Sequence, residues 1–512
     1  MELQTGKGEV PSLSKPVVSG TGIARFLRRH DLLALTAVYG MLCALVPLDS
    51  AVELAQDEHF EVAKAFLVFK GHHLFTEIWS EQPPLHTLLT AAAFHAFGPS
   101  VLTARILASL FGLLLVLTLY ACVRTVAGRF AGLAAATWLY TASRNLDLFH
   151  GAMMEVPACA VALASSAVAM LSLRREHRLA LAATSGALLA VAVQLKYTAL
   201  LVGFVGGGVL ASGGLFADGH SSHREALRGV AIWAGSFLVS FTLLSCVLPG
   251  MDYSSMAKAL AVQPTDPDFG ALSLRSLFAE QTLMLPAVGG LLVVAWRRRW
   301  EAGLPPLLLF ATATVVHSLH RPFWGYYFIH LTIPAAWLCG LVVAELRATL
   351  APAIRSGAWR RSWTSAAATG GALVSLAILA CESGVEYVEA WHRLWDRPRL
   401  QSCASVQLVA KLCPENGYVF ARNGSIAFAA RRMTLPWLTV LSRRRYWSGQ
   451  ISDERVRAEV KRARPAVLML GALEATESWT GLLRDGYSKA GEADGFVFYR
   501  ADSAGQSPPV PH

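Results

Sequence analysis

Three carboxylates of this 512-residue chain stand where proton-transfer chemistry could be done. Asp57 and Glu58 follow closely after the first long apolar run, and Glu155 stands at the start of a later one. A hydroxyl group is a poor nucleophile near neutral pH, so its attack needs a carboxylate that accepts its proton. If Glu155 meets the first pair in a partly dry cleft, at least one carboxylate should have a raised pKa. The alternatives are solvated loop carboxylates and, for Glu58, a helix cap.

Four other residues could bind an anion beside these carboxylates. Arg105, Lys196 and Arg321 lie at the ends of apolar runs, and Tyr327 follows in an aromatic segment. Donors of this kind stabilise a phosphate and the charge that develops on a leaving group. The competing interpretation is that the cations and rings anchor helix ends at a membrane interface.

The histidines and cysteines give little sign of a metal site or a disulfide framework. His72, His73 and His150 lack a compact ligand spacing, so we expect no obligatory metal. Six of the eight cysteines lie in or at the ends of apolar runs, where a thiol behaves as a small hydrophobe. Cys403 and Cys413 lie in the polar tail and could pair if that tail is extracytoplasmic.

The hydropathy of the chain indicates that membrane-spanning helices position these residues. Hydrophobic residues make up 54% of the sequence, charged residues only 16%, and the mean hydropathy is +0.43. Apolar runs long enough to cross a hydrocarbon core of about 30 Å recur from Leu32 to Leu379. They predict crossings near residues 32–48, 101–123, 130–147, 156–173, 179–195, 197–215, 229–248, 279–296, 304–319, 325–346 and 364–381.

The arginines indicate how the chain threads the membrane. The net charge is +10, but most arginines sit in short connections between apolar runs, where they mark the cytoplasmic side instead of a nucleic-acid surface. The pattern predicts about eleven crossings with the amino terminus inside and the carboxyl terminus outside. The segment Pro84 to Phe97 is too short to span comfortably, so we expect it to lie on the outer face within a first outer loop of residues 49–100.

Composition divides the chain into four predicted parts. Residues 1–31 form a cytoplasmic segment, and residues 32–382 form the transmembrane unit. Residues 383–502 are polar and mixed, with short apolar runs between turn signals, which predicts a small soluble α/β domain on the extracytoplasmic side. Residues 503–512 contain three prolines and few apolar groups, so they are predicted to be a disordered tail.

A spaced series of motifs resembles the polytopic GT-C glycosyltransferases that use lipid-phosphate sugars, specifically the protein mannosyltransferase and aminoarabinose transferase group. The series begins in the first outer loop and reads Asp57-Glu58, Gly71, Pro83-Pro84-Leu85, Phe97-Gly98 and Arg105. Weaker matches follow at Glu155-Val156-Pro157, at Lys196, in the aromatic segment 320–328 and in the closing segment 494–500. Glu155 departs from the family pattern, in which aspartate is usual.

The resemblance implies an α-helical polytopic membrane protein of GT-C type with a small carboxyl-terminal α/β domain. It implies an inverting glycosyltransferase, hexosyl- or pentosyl-, that moves a sugar from a polyprenyl-phosphate donor to an acceptor at the outer face of the membrane. Asp57 takes the base role by motif position, with Glu58 and Glu155 as further catalytic candidates. Some relatives bind divalent ions, so a metal stays open as an alternative. The acceptor (protein, lipid or glycan) is not specified.

Compact loops and the short tail favour a bacterial inner membrane. Two other functions remain open at the level of sequence. A transporter or flippase of lipid-linked sugars would also need carboxylates and arginines, but its charged site usually lies near the bilayer midplane. An inactive homologue that serves in envelope assembly would keep the fold, and glutamate at position 155 leaves this alternative open.

Overall fold

The computed structural model describes residues 22–51, 57–173, 177–216, 223–248, 251, 253–262, 264, 268–356, 363–471 and 479–502. Most of these residues are α-helical, and their only β-sheet lies in the carboxyl-terminal region. The predicted disordered tail and most of the predicted amino-terminal segment lie outside the described residues.

Residues 22–216 form nine helices among the described residues. They are α1 (Gly22–Leu45), α2 (Glu58–Phe69), α3 (Leu85–Phe97), α4 (Val101–Ala127), α5 (Arg129–Thr141), α6 (Ser143–His150), α7 (Glu155–Ser172), α8 (Arg178–Leu195) and α9 (Ala199–Phe216). The helical region continues with α10 (His223–Val247), α11 (Tyr253–Ala261), α12 (Leu274–Ala279), α13 (Gln281–Arg297), α14 (Trp300–Leu319), α15 (Ile329–Ser356) and α16 (Trp363–Asp396). A 3₁₀ turn, Gly325–Phe328, leads into α15.

Six described helical segments are long and apolar enough to cross a membrane. They are Val101–Ala127, Glu155–Ser172, Arg178–Leu195, His223–Val247, Trp300–Leu319 and Gly325–Leu350. Each coincides with a predicted crossing, because a sustained apolar run is readable from hydropathy alone. Shorter apolar helices at His30–Leu45, Ala199–Ser212 and Gln281–Arg297 coincide with three more, while the total of eleven stays a prediction.

One predicted crossing, residues 130–147, is wrong as a single helix. The helix α5 ends at Thr141, Ala142 is extended, and α6 begins at Ser143. The side chain of Asn145 holds this break, since its Nδ2 donates to the Leu139 carbonyl at 3.0 Å. The polar residues Ser143 to Asn145 follow the break directly, so the sequence carried a sign of it that the predicted crossing overlooked.

Glycines allow α5 to pack closely between two long helices. A Cβ on Gly132 would lie 2.9 Å from the Tyr120 carbonyl of α4, and a Cβ on Gly340 would lie 2.6 Å from the Ala131 carbonyl. Small residues at such crossings let helix backbones approach within a membrane. These contacts make α4, α5 and α15 one packed unit.

The first outer loop forms two helices that pack against the carboxyl-terminal region. The helix α3 has 13 residues, which gives a length of about 20 Å, too short for a spanning helix. The ring of Phe428 stacks on Phe94 of α3, with centroids 5.4 Å apart, and meets Phe66 of α2 edge-on at 5.3 Å. An aromatic side chain from far along the sequence therefore fixes both loop helices.

The carboxyl-terminal region is an α/β domain, as predicted. Its helices are α17 (Ala404–Leu412), α18 (Gly424–Ala429), α19 (Arg443–Trp447), α20 (Asp453–Ala463) and α21 (Thr480–Arg484). Its strands are β1 (Tyr418–Ala421), β2 (Met433–Thr434), β3 (Val467–Gly471), β4 (Tyr487–Ala493) and β5 (Phe496–Ala501), in the sheet order β2-β1-β3-β5-β4. The first three strands are parallel, and β5 pairs antiparallel with β3 and β4.

The border between the helical region and this domain lies later than the predicted residue 383. The helix α16 continues to Asp396 because Ala390 and Leu394 are buried against Val46 and Leu48, which follow α1. This contact extends the last helix beyond the apolar run from which the border was predicted.

The pairing that the sequence left open for Cys403 and Cys413 is absent, since both thiols are free. These cysteines are the N-cap and C-cap residues of α17. At 1.5 Å per residue, a helix of this length separates their Cα atoms by about 15 Å. A disulfide needs less than about 7 Å, so the helix itself prevents the bond.

Candidate active site

A cleft lined by carboxylates opens at one end of the helical region, where the first outer loop meets α7, α8 and the carboxyl-terminal domain. We call it the carboxylate cleft. It encloses about 460 Å³, including the part open to solvent. Its ionisable lining residues are Asp57, Glu61, Lys64, Glu81, Glu155 and Lys196, with Tyr326 beside them. Three residues predicted from sequence, Asp57, Glu155 and Lys196, therefore meet in one place.

Asp57 lies immediately before α2 and faces the cleft. It occupies the N-cap position, but its side chain makes no capping hydrogen bond. Burial raises the pKa of Asp57 to about 6, and the like charge of Glu155 adds to this effect although Lys196 opposes it. A carboxylate with this pKa is largely ionised at neutral pH yet basic enough to accept a proton.

Glu155 and Lys196 form a buried ion pair on the opposite wall. Glu155 opens α7, and Pro157 fits the first turn of that helix because the turn needs no amide donor there. Lys196 ends α8 in an extended conformation that directs its side chain to Glu155 Oε1. The other oxygen, Glu155 Oε2, is buried and makes no hydrogen bond with any described residue.

Two tyrosines complete the surroundings of Lys196. The Lys196 ammonium lies 4.9 Å from the ring centre of Tyr326 and 5.7 Å from that of Tyr327, within cation–π range. Tyr327 also stacks on His317, with ring centres 4.9 Å apart. The predicted Tyr327 therefore contacts the phosphate-binding candidate Lys196, while Tyr326, which sequence analysis passed over, lines the cleft.

Glu58 and Arg105 have a different role from the one predicted. Arg105 is completely buried, and its Nε and Nη2 donate to the two Glu58 carboxylate oxygens at 2.8 and 2.6 Å. Its Nη1 donates to the carbonyls of Leu48 and Ala51 at 3.0 and 2.9 Å. A phosphate cannot reach a guanidinium enclosed in this way, so we revise the predicted phosphate-binding role of Arg105 to a structural one.

Glu58 links the predicted first outer loop to the segment just before α7, the helix that begins at Glu155. Its Oε1 also accepts a hydrogen bond from the Ala152 amide at 2.9 Å, three residues before Glu155. Since both oxygens of Glu58 are engaged, the side chain holds the loop and the start of α7 together instead of contacting an acceptor. Arg321, the remaining predicted phosphate ligand, is exposed and is not among the residues that line the cleft.

Sequence analysis missed a charged network on α2. Glu61 forms an ion pair with Lys64 at 2.9 Å and lies 3.4 Å from His86 Nδ1. Although burial alone would raise it, these two neighbours lower the pKa of Glu61 to about 2, so this carboxylate stays ionised and is a poor base. The sequence feature that could have indicated this network is the i, i+3 spacing of Glu61 and Lys64, which places both side chains on one face of α2.

The carboxyl-terminal domain closes one side of the cleft. Ser442 lines it and donates a hydrogen bond to Glu81 Oε2 at 3.1 Å. Burial raises the pKa of Glu81, the fourth carboxylate of the site. The Trp79 indole also donates to Gln450 Oε1 at 2.7 Å. The cleft is therefore built by both parts of the chain.

The cleft does not fit a metal ion well. No group of three His, Cys, Asp or Glu side chains lies close enough to hold a metal among the residues that the structure describes. Glu61 and Glu155 are already paired with lysines. The expectation that no metal is obligatory stays a prediction, and the mechanism below uses side chains alone.

Helices long enough to span a membrane, the loop helices α2 and α3 and a carboxyl-terminal α/β domain beside the cleft agree with the GT-C fold that the sequence motifs resemble. The family model described as dolichyl-phosphate-mannose-protein mannosyltransferase matches residues 81–248. No curated protein sequence matches the chain.

Solved structures share the fold. ArnT from Cupriavidus metallidurans in the apo state has a TM-score of 0.63 at 15% identity, with 94% of this chain and 98% of that chain covered. The same protein bound to undecaprenyl phosphate has a TM-score of 0.61 at 16% identity, with 96% of this chain and 100% of that chain covered. A third structure is the oligosaccharyltransferase AglB from Archaeoglobus fulgidus in complex with an inhibitory peptide and a dolichol-phosphate. It has a TM-score of 0.53 at 12% identity, with 80% of this chain and 65% of that chain covered. These findings confirm the predicted resemblance: the chain is a multi-pass membrane protein with the GT-C fold.

Proposed function

We propose that the chain is an inverting glycosyltransferase that moves a sugar from a polyprenyl-phosphate donor to an acceptor hydroxyl at the outer face of the membrane. The observation that carries this proposal is the meeting of Asp57, Glu155 and Lys196 in one cleft at the ends of spanning helices. The match to the mannosyltransferase family model supports it. So do the polyprenyl phosphates named in two structures of similar fold.

Asp57 acts as the base in this mechanism. Its carboxylate accepts the proton of the acceptor hydroxyl while that oxygen attacks the anomeric carbon. The bond between this carbon and the phosphate oxygen breaks on the opposite face, so the configuration inverts and the electron pair leaves with the phosphate. The raised pKa of Asp57, about 6, favours proton transfer near neutral pH.

Lys196 neutralises the charge that develops on the leaving phosphate. Glu155 holds the ammonium in place through its Oε1, and the remaining ammonium hydrogens are free to turn towards a phosphate oxygen. Glu155 Oε2 is buried without a partner among the described residues, so a hydroxyl of the sugar or acceptor is a suitable donor to it. In this assignment Asp57 accepts the proton, whereas Glu155 positions Lys196 and a hydroxyl of the substrate.

The outer-face location rests on the distribution of charge. The cleft is built at the end of α8 and the starts of α7 and α15, whereas Arg124, Arg129 and Arg297 lie at opposite helix ends. Basic residues mark the cytoplasmic side of a membrane protein. This distribution supports our proposal that the cleft and the carboxyl-terminal domain are extracytoplasmic, in a bacterial plasma membrane.

A reconstituted system tests the proposal against transport of lipid-linked sugars. The purified protein is placed in proteoliposomes with a panel of radiolabelled polyprenyl-phosphate sugars, and both cleavage and movement of the lipid are followed. We expect one donor to be cleaved, with release of polyprenyl phosphate and transfer of its sugar to an acceptor or to water. Movement of intact donor across the bilayer without cleavage would contradict the proposal and favour a transporter.

A further inference from the structure

Two cationic side chains line the carboxylate cleft and a third stands two residues along the chain from the lining residue Ser442, and the three differ in how their charge is balanced. Lys64 is paired with Glu61, and Lys196 is paired with Glu155. The third is Arg444 of α19, in the carboxyl-terminal domain. Its Nη2 donates to His320 Nε2 at 2.9 Å, and that histidine nitrogen accepts only when the ring is neutral.

Arg444 is buried with one donor group unused. Only 4% of the residue is exposed, and its Nη1 makes no hydrogen bond with any described residue. No ion pair joins it to a carboxylate in the part of the chain that the structure describes. Burying a guanidinium without a directly bonded anion is costly, because the more distant charge of Glu81 repays only part of the desolvation.

The position of Arg444 relates it to the cleft. It stands two residues after Ser442, which lines the cleft and hydrogen-bonds Glu81. Its charge interacts with Glu81 and with Tyr327, the tyrosine that contacts Lys196. The charges of Lys196 and Arg444 both act on Tyr327, so an anion bound beside Lys196 would lie within electrostatic range of Arg444.

We propose that Arg444 binds the phosphate of the polyprenyl-phosphate donor, so that the carboxyl-terminal domain completes the donor site. This inference rests on the proposed function. A guanidinium is well suited to the task, because its planar donors match phosphate oxygens and it stays charged at any working pH. His320 positions the guanidinium from the end of α14. The soluble domain is then part of the catalytic unit, and Arg444 is a binding residue that no sequence motif indicated.

The neighbouring Arg443 offers a matched control. It lies on the same short helix, but it is exposed, and its guanidinium lies 4.4 Å from the ring centre of Phe269, away from the cleft lining. Arg445, by contrast, is buried and donates to the carbonyls of Trp437 and Val440, so it is unsuitable as a control. Replacing Arg443 changes the net charge of the domain as much as replacing Arg444 does.

The test measures lipid binding by the full-length protein in nanodiscs. Dissociation constants for undecaprenyl phosphate and for uncharged undecaprenol are compared among wild type, Arg444→Gln, Arg444→Lys and Arg443→Gln. We expect Arg444→Gln to weaken undecaprenyl phosphate binding about 10- to 100-fold, the usual effect of losing a hydrogen bond to a charged group. Arg444→Lys should recover part of the affinity, whereas Arg443→Gln and undecaprenol binding should be unchanged.

The outcomes separate this inference from the function on which it rests. Unchanged binding of undecaprenyl phosphate by Arg444→Gln would overturn the inference alone. An equal loss of undecaprenol binding would also overturn it, because the residue would then support the fold and not the phosphate. A folded wild type that binds no undecaprenyl phosphate would instead overturn the proposed function, and the inference with it.

Discussion

Asp57 and Glu61 are two carboxylates of one cleft with opposite electrostatic surroundings. Burial and the charge of Glu155 raise the pKa of Asp57 to about 6, whereas Lys64 and His86 outweigh burial and lower the pKa of Glu61 to about 2. Proton transfer is most efficient when the pKa of the base lies near the working pH. The surroundings therefore favour Asp57 over Glu61 as the base in the proposed mechanism, independently of the motif.

The raised pKa of Asp57 also predicts an effect on stability. The stabilising contribution of this shift is fully present below the unfolded pKa, near 3.8, and is lost as the pH rises through about 6. Above that pH, the folded protein contains a buried charge that Asp57→Asn would remove. We expect the variant to be more stable at neutral pH, by a free energy of unfolding on the order of 2 kcal/mol.

Thermal unfolding in detergent between about pH 4 and 8 measures this effect, and the advantage of the variant should disappear towards about pH 4. Asp49→Asn is the control, since Asp49 lies in the same loop and is exposed. A variant Asp57→Asn that is less stable than wild type at neutral pH would contradict the assigned pKa.

At the scale of elements, the Glu58–Arg105 pair joins the first outer loop to α4 and to the start of α7. Removing one partner leaves an uncompensated buried charge, so Glu58→Gln or Arg105→Met should each destabilise the protein by about 3–5 kcal/mol. The double variant Glu58→Leu/Arg105→Met should lose clearly less stability than the two single variants lose together, because it removes both charges. Chemical unfolding measures the three values, and strictly additive losses would show that the two residues are not coupled.

The contact between α2 and α18 gives a second prediction at this scale. A Cβ on Gly424 would lie 2.8 Å from Ala63 Cβ and 3.2 Å from the His59 carbonyl, so Gly424→Ala should push α18 away from α2. We expect a loss of about 1–3 kcal/mol of stability and lowered turnover, because α2 carries Asp57 at its start. Gly481→Ala is the control, since that position has open space. Equal behaviour of the two variants would contradict this contact.

Sequence reasoning recovered the elements better than their contacts. The spanning helices were readable because their apolar runs persist for about 20 residues, whereas the break at Ala142 was missed although the polar residues Ser143 to Asn145 follow it. Asp57 was found by its place in the motif series, whereas Glu155 and Lys196 were found because each stands at the end of a predicted helix. Glu81 and Arg444 were missed because only the docking of a distant domain brings them together, and no periodicity records that contact.

At the scale of the whole molecule, the cleft lies between helices that are long and apolar enough to span a lipid bilayer and a carboxyl-terminal domain that is predicted to lie in water. Spanning helices supply Glu155 and Lys196, and the soluble domain supplies Ser442 and, by our inference, Arg444. A donor with an apolar chain and a charged head needs this arrangement, because its phosphate must be bound at the border between lipid and water. The site can form only if both parts are on the same side of the membrane.

Cysteine labelling tests this topology. In a chain whose exposed Cys246 and Cys381 are replaced by serine, Lys461→Cys on the soluble domain should react with an impermeant maleimide applied from outside to intact spheroplasts. Arg298→Cys, at the opposite end of the bundle, should react only after the membrane is opened. The reverse pattern would place the cleft in the cytoplasm and contradict the proposed outer-face reaction.

The most direct test of the account is the rate at which wild type, Asp57→Asn and Asp49→Asn release polyprenyl phosphate from the donor identified in the panel. We predict that Asp57→Asn slows release by about 10²–10⁴-fold while it binds undecaprenyl phosphate no more weakly, since a general base contributes a factor of this size. Asp49→Asn should match wild type, whose rate should rise with pH to a half-maximum near 6. Equal rates for wild type and a folded Asp57→Asn would contradict the central claim.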